Sequence, residues 1–241
     1  MSQIASVSLS VRELVEFILA SGSIDNRGGS DLYQRANEGA RLHRKLQKQS
    51  RSQYGEIYQP EVTLSDERKV DGVVFHIYGR ADAILDDPEG PIIEEIKTTE
   101  LALTLLSDQP EQSGYNPLHW AQATCYAFIL AQQRQLPEVR VRLIYCQLET
   151  EETISFTHRL SFEQLSQFYL DLLARYHRWA MMRFDWEQLR NRCAKQLAFP
   201  FSEYRAGQRQ MAAVIYRAAE NGSRVLCQAP TGIGKTISSL F

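Results

Sequence analysis

The chain has 241 residues, 44% hydrophobic and 23% charged, with a formal net charge of -2. That is an ordinary globular balance, enough for one good-sized domain plus part of another. It excludes a globally basic nucleic-acid coat, and no apolar run approaches the ~20 residues that span a bilayer.

The N-terminus lacks a charged segment followed by an apolar one, so no signal peptide is read and a cytoplasmic protein is expected. Cys125, Cys146, Cys193 and Cys227 lie 21, 47 and 34 residues apart with no CxxC pair. They read as reduced thiols rather than a disulfide framework or a thiolate metal site.

Val11, Leu14, Val15, Ile18 and Leu19 recur at helical spacing, with Ser10 as N-cap. A polar loop, Ser21 to Ser30, leads to a second helix from about Asp31 to Lys48. Arg35, Arg41, Arg44, Lys45, Lys48 and Arg51 form a basic strip there, which for a charge run alone reads as a solvated helix face. Three strands follow, at Glu61–Leu64, Val73–Leu85 and Ile92–Lys97. Gly79 inside the second marks a bulge or a close backbone approach. A helix is expected from Pro117 to about Gln135. Two strands come next, Val139–Leu148 and Thr153–Arg159, joined by an acidic tip. Ser161 with Gln164 is a capping-box pair opening a long helix to about Met182. The order predicts an α/β domain, a mixed sheet flanked by helices. A boundary is placed at 199/200. Beyond it, a helix from Gly207 to Asn221, a short strand Arg224–Gln228 and a Gly-rich turn are expected.

The chemistry-bearing segment is Gly79-Arg80-Ala81-Asp82 followed by Ile93-Glu94-Glu95-Ile96-Lys97. Strand alternation places Glu95 and Lys97 on one face and Glu94 on the other. Asp82 lies on the preceding strand, a hairpin neighbour. Two carboxylates suit Mg²⁺, which polarises a phosphate and acidifies a bound water. An adjacent lysine orients that water and balances transition-state charge. Asp…Glu-x-Lys alone is also what a surface salt bridge on a hairpin looks like. Two further pieces sharpen it. His43, in Gly39-Ala40-Arg41-Leu42-His43, offers an imidazole ligand, with Gly39 allowing close packing. Gln122 and Tyr126 are four apart and share one helical face.

The joint order His, Asp, Glu-x-Lys, Gln-x-x-x-Tyr, over residues 31 to 160, resembles the RecB-like branch of the PD-(D/E)XK nucleases. The resemblance implies a restriction-endonuclease-like core. It implies His43, Asp82, Glu95 and the Ile96 carbonyl as ligands of Mg²⁺ or Mn²⁺, and Lys97 as the catalytic lysine. Gln122 and Tyr126 would position substrate, and Glu61 would be an assisting acid on the first strand. Some relatives carry an iron–sulfur cluster on clustered cysteines; the dispersed cysteines here predict none.

Gln228-Ala229-Pro230-Thr231-Gly232-Ile233-Gly234-Lys235-Thr236 reads as a Walker A phosphate loop. In that reading the Gly232 and Gly234 backbone cradles phosphate, Lys235 reaches the β- and γ-phosphates, and Thr236 binds Mg²⁺. With Tyr204 to Met211 upstream, where Gln208 would read adenine, residues 200–241 resemble the start of a DinG/XPD-type superfamily 2 helicase. No downstream acidic motif or second lobe follows. The chain therefore reads as a truncated piece of a nuclease–helicase fusion, with an incomplete ATP site and helicase activity expected only in the full-length parent. The expectation is a metal-dependent nuclease acting on DNA, single-stranded for preference. The alternatives are a catalytically silent nuclease fold that binds DNA, and a nucleotide-binding domain alone, which leaves the first 200 residues unexplained.

Overall fold

The computed structural model describes residues 5–21 and 30–240, with side chains from 37 onward in the second stretch. The expected Ser21–Ser30 loop, apart from its ends, and the Arg35 side chain lie outside the described residues.

Strand β1 (Ser6–Ser10) runs straight into helix α1 (Val11–Leu19). Ser10 closes the join. Its hydroxyl accepts from the Glu13 N–H at 3.1 Å, and the Glu13 carboxylate accepts from the Ser10 N–H at 2.8 Å. This capping box sets the direction of α1, whose Val11, Leu14 and Val15 are buried. Helix α2 (Ser30–Tyr54) extends past the expected Lys48.

The first predicted strand proves far longer. β2 (Tyr58–Val70) forms a hairpin with β3 (Val73–Asp87) along nearly its whole length. Asp71 and Gly72 make the turn with φ of 44° and 88°, the left-handed pair that a two-residue hairpin needs. The polar run Ser65-Asp66-Glu67-Arg68-Lys69 concealed this half of β2 from a reading based on apolar content.

β4 (Gly90–Thr99), helix α3 (Pro117–Arg134), β5 (Glu138–Gln147), β6 (Thr153–Ser161) and helix α4 (Phe162–Gln196) follow. Ser161 and Gln164 do form the expected reciprocal cap, at 2.9 and 3.2 Å. Helix α4 continues well past Met182, because residues 183–196 are mostly good helix formers even though their apolar period fades.

The six strands form one mixed sheet in the order β1-β3-β4-β5-β6, with β2 paired to β3. β1 is parallel to β3, and β4 is parallel to β5; the β2–β3, β3–β4 and β5–β6 pairs are antiparallel. Helix α3 packs on β4 and β5 and against α1. It is buried almost all round from Trp120 to Ala131, as a helix between two layers must be.

One feature of the pairing positions the site. A strand has two edges, and β2 occupies one edge of β3 from Val73 to Leu85. The other edge is shared. β1 pairs there with Val74–Tyr78, and β4 pairs there with Ala83–Asp87. Between them, among the described residues, no strand pairs with Gly79, Arg80, Ala81 or Asp82 on that edge.

The chain separates into two compact units, Met1–Arg183 and Phe184–Phe241, so the boundary expected at 199/200 lies inside the second. The second unit contains the C-terminal part of α4, helix α5 (Gln208–Glu220) and the short helix α6 (Lys235–Leu240). The strand expected at Arg224–Gln228 does not form; Leu226 is 99% exposed. A strand needs a neighbour for its backbone groups, and the described residues of this unit contain none. No described helix is long and apolar enough to cross a membrane.

Candidate active site

The unpaired stretch of β3 opens into a cleft of about 840 Å³ between α2 and α3. Its floor is built by the end of the β3–β4 ladder. Ala83 opposite Glu94 is the first pair of that ladder, and beyond it the strands part. The Asp82 side chain fills the opening, and its Oδ2 accepts from the Ile96 N–H at 2.7 Å. Ile96 itself lines the cleft.

Alternation along β4 then acts as expected. Glu95 and Lys97 share a face, and Glu95 Oε1 meets Lys97 Nζ at 2.7 Å. Glu94 points the other way and pairs with Arg142 at 2.9 Å. Glu95 is only 1% exposed, and its Oε2 has no hydrogen-bond partner. Burial and the neighbouring Asp82 charge push its carboxyl above the ordinary range, against the pull of Lys97.

Helix α2 brings His43 to the same point. Its Nε2 lies 3.0 Å from Asp82 Oδ2, and its Nδ1 lies 3.8 Å from Glu61 Oε1. The hydrogen bond to Asp82, above all, holds the imidazole pKa above its usual value, with the Glu61 and Glu95 charges adding to it. α2 approaches closely because Gly39 faces Thr98 of β4; a Cβ there would sit 2.9 Å from the threonine Oγ1. Glu61, on β2 between the pairs Pro60–Ala83 and Val62–Ala81, has φ of 57°, a left-handed conformation unusual for a residue with a side chain. Its Oε2 binds Arg80 Nε at 2.6 Å.

Helix α3 closes the other side. Gln122 Oε1 accepts from Lys97 Nζ at 3.2 Å. The Tyr126 hydroxyl lies against Gly79, where a Cβ would come within 2.5 Å of it. Gly79 thus marks a close approach rather than a bulge. Burial, and secondarily the Glu95 charge, pushes the Tyr126 phenol up to about 12, so it acts as a neutral hydroxyl. Gly79→Ala forces this buried ring to shift. We expect a destabilisation of about 1–3 kcal/mol, read as a lower urea midpoint at unchanged slope.

His43, Glu61 and Asp82 offer ligand atoms within 4.8 Å of one another. The carboxylate oxygens suit Mg²⁺ or Mn²⁺, and an imidazole among them is a donor that a transition metal such as Mn²⁺ accepts more readily than Mg²⁺. Glu95, an expected ligand, lies outside this group and does not line the cleft, but its buried Oε2 has no hydrogen-bond partner among the described residues; the three clustered donors fit a divalent cation.

Sequence reasoning missed Gln47 and Arg80. Gln47 is one helical turn beyond His43, so a His-x-x-x-Gln spacing was the available signal. The basic strip divides. Arg41 and Lys45 both pair with Glu151 at the β5–β6 tip, and Arg51 binds Glu56, while Arg44 is exposed at the cleft.

In the second unit, Gln208 is 3% exposed. Its Oε1 accepts from the Arg205 N–H at 2.9 Å, and its Nε2 lies 3.5 Å from the Gly234 carbonyl. Gly232 and Gly234 adopt φ of 80° and 86°. Lys235 Nζ folds back onto the Ala229 and Pro230 carbonyls at 2.8 and 2.7 Å, and Thr236 is exposed in the first turn of α6. Gln208 and the glycine turn therefore meet, but the strand that should precede the loop is missing.

The mixed sheet flanked by helices agrees with the expected restriction-endonuclease-like core. The profile of the PD-(D/E)XK nuclease superfamily matches residues 10–218, and the chain belongs to that superfamily. Its members are metal-dependent nucleases, so a divalent cation and a nucleic-acid substrate follow from membership. A solved structure titled "Crystal structure of SSO0001" is similar at 19% identity, covering 72% of this chain and 78% of that chain, with a TM-score of 0.44. No curated protein matches.

Proposed function

We propose that the chain is a deoxyribonuclease that hydrolyses phosphodiester bonds of single-stranded DNA with Mg²⁺ or Mn²⁺, and that residues 1–199 carry this activity. The observation that carries the reading is the convergence of His43, Glu61 and Asp82 within 4.8 Å, with Asp82 hydrogen-bonded to the strand that bears Glu95 and Lys97.

His43, Asp82, Glu95 and the Ile96 carbonyl would hold the cation, with Glu61 as an assisting acid. Bound there, it supplies Lewis-acid polarisation of the phosphate. Lys97, held between Glu95 and Gln122, keeps its ammonium at the edge of the cleft to orient the attacking water and offset charge gathering on the phosphate oxygens. Tyr126 and Gln122 limit where the substrate backbone can lie. Arg44 adds positive charge at the mouth, where flanking phosphates pass, while Arg12 lines the cleft paired with Glu16.

Residues 200–241 are proposed as the ATP-binding start of a DinG/XPD-type helicase domain. Gln208 would serve adenine, and Gly232, Gly234, Lys235 and Thr236 the phosphates. The nearness of Gln208 to Gly234 supports this. The single-strand preference rests on the pairing of the two activities, since a helicase supplies single strands; that is association rather than geometry.

End-labelled linear and circular single-stranded DNA, incubated with Mn²⁺, Mg²⁺ or chelator, test the reading. Cleavage is expected with metal and not with chelator. DNA binding without cleavage under either metal would favour the silent-module alternative.

Metal affinity should depend on pH. A cation needs the neutral His43 imidazole, and Asp82 holds that group's pKa above its usual value. Proton and metal therefore compete, and Mn²⁺ affinity should climb as pH rises from about 6 to about 8. In the metal-free protein the sign is opposite. The His43–Asp82 stabilisation is fully present below the unfolded pKa and is lost as pH rises through the raised folded one. Calorimetric titration and thermal melts across that range check both slopes.

A further inference from the structure

Gln47 is a buried amide at the cleft, 7% exposed, on α2 one turn beyond His43. Its Nε2 spends both hydrogens on the candidate metal cluster. One goes to Glu61 Oε1 at 2.8 Å and the other to the Asp82 carbonyl oxygen at 2.9 Å. An amide nitrogen has two hydrogens to give, so its donor capacity is filled.

Both acceptors have a reason to need it. The β2–β3 ladder runs through Pro60 opposite Ala83 and Val62 opposite Ala81 and skips Glu61 and Asp82 between them. Gln47 bridges this skipped pair, bonding the Asp82 backbone and the Glu61 side chain at once. Glu61, for its part, holds a φ of 57°. A residue with a Cβ keeps that conformation only when its surroundings determine it. Arg80 restrains Glu61 from the exposed side and Gln47 from the buried side.

We propose that Gln47 is a positioning residue for divalent-cation binding. It ties the Glu61 carboxylate to the Asp82 strand, so that Glu61, Asp82 and His43 present one preassembled donor set. This rests on the nuclease reading above. Loss of a hydrogen-bond partner behind a metal ligand weakens metal binding by about 10- to 100-fold.

The test uses Gln47→Leu in the whole chain, which fills similar space and donates nothing. Calorimetry should show Mn²⁺ binding weakened by about 10- to 100-fold in a variant that still folds cooperatively, with a lower melting temperature because two acceptors lose their donor. The Mn²⁺ concentration for half-maximal DNA cleavage should rise by the same factor, while the rate at saturating Mn²⁺ stays near the parent's. In a Glu61→Ala background, Gln47→Leu should weaken Mn²⁺ binding no further. Unchanged Mn²⁺ affinity in the folded variant would overturn the proposal, as would an undiminished loss in the Glu61→Ala background. If Gln47→Leu does not fold, amide spectra of the parent decide. The Gln47 side-chain protons must shift on adding Mg²⁺, and an unmoved signal overturns the role. A parent that binds no Mn²⁺ sinks the nuclease reading itself, whereas a parent that binds and a variant that binds equally well sink only Gln47.

Discussion

Asp82→Ala is expected to abolish metal-dependent DNA cleavage, by a factor on the order of 10³ or more, the scale on which a group that organises transition-state charge is missed. Two separate contacts make this the most damaging single change. Asp82 Oδ2 meets His43 Nε2 at 3.0 Å, so its removal takes away one ligand and the partner that orients another. The same oxygen accepts the Ile96 N–H at 2.7 Å, where β3 and β4 part. An alanine leaves that N–H unsatisfied at a cost of about 1–3 kcal/mol. Part of this is returned, because the Asp82 charge opposes ionisation of the buried Glu95. Asp82→Asn separates the effects. Its amide oxygen can still take the Ile96 N–H, but the charge is gone. We expect Asp82→Asn to melt near the parent and still fail to cleave DNA. If the folded Asn variant cleaves at the parental rate, the cation is not held where this cleft would hold it.

The extent to which this site could be read in advance follows from the range of the interactions. Glu95 with Lys97, and Gln122 with Tyr126, are pairs within one strand and one helix, so the periods of two and 3.6 place them. Asp82 needed only a hairpin neighbour. Ser10 and Ser161 were legible as caps because a cap is a local contest for a few backbone N–H groups. The Asp71–Gly72 turn was equally local but was overlooked, and with it half of β2. What stayed hidden depends on distant parts of the chain. The gap on β3 exists because β1 and β4 share one edge without meeting, and β1 was not recognised as a strand at all. The role of Gln47 follows from the skipped Glu61–Asp82 pair of the β2–β3 ladder. The left-handed Glu61 carries no mark in its own residue type. The neutralisation of Arg41 and Lys45 by Glu151, more than 100 residues away, is a tertiary fact, and so the helix face looks more basic in sequence than in space. At the C-terminus a local motif was read together with a strand for which the described residues of the second unit supply no neighbour.

Lys97→Ala should cost about 10²- to 10³-fold in cleavage, but for a different reason, and its pH behaviour should reveal it. Lys97 is the partner of a carboxylate that is 1% exposed and has only one of its two oxygens bonded. Burial already raises the Glu95 pKa, and Lys97 is the group pulling it down. Without the ammonium that pKa rises further. At a given pH less Glu95 is ionised, and a cation must displace more protons to bind. Mn²⁺ affinity in Lys97→Ala should therefore be weaker near neutral pH and recover as pH is raised, with its profile displaced upward from the parent's. The cleavage defect should persist after recovery, because metal occupancy cannot replace the ammonium beside the attacking water. His119 offers an internal control. Burial first, and the Lys97 charge second, hold it down to about 4. In the variant its titration, followed by NMR, should move up toward the ordinary range yet stay below it, since the burial remains. Cleavage that recovers fully at high pH would reduce Lys97 to an electrostatic support for Glu95. Cleavage that stays low while Mn²⁺ binding recovers assigns the ammonium to the chemical step.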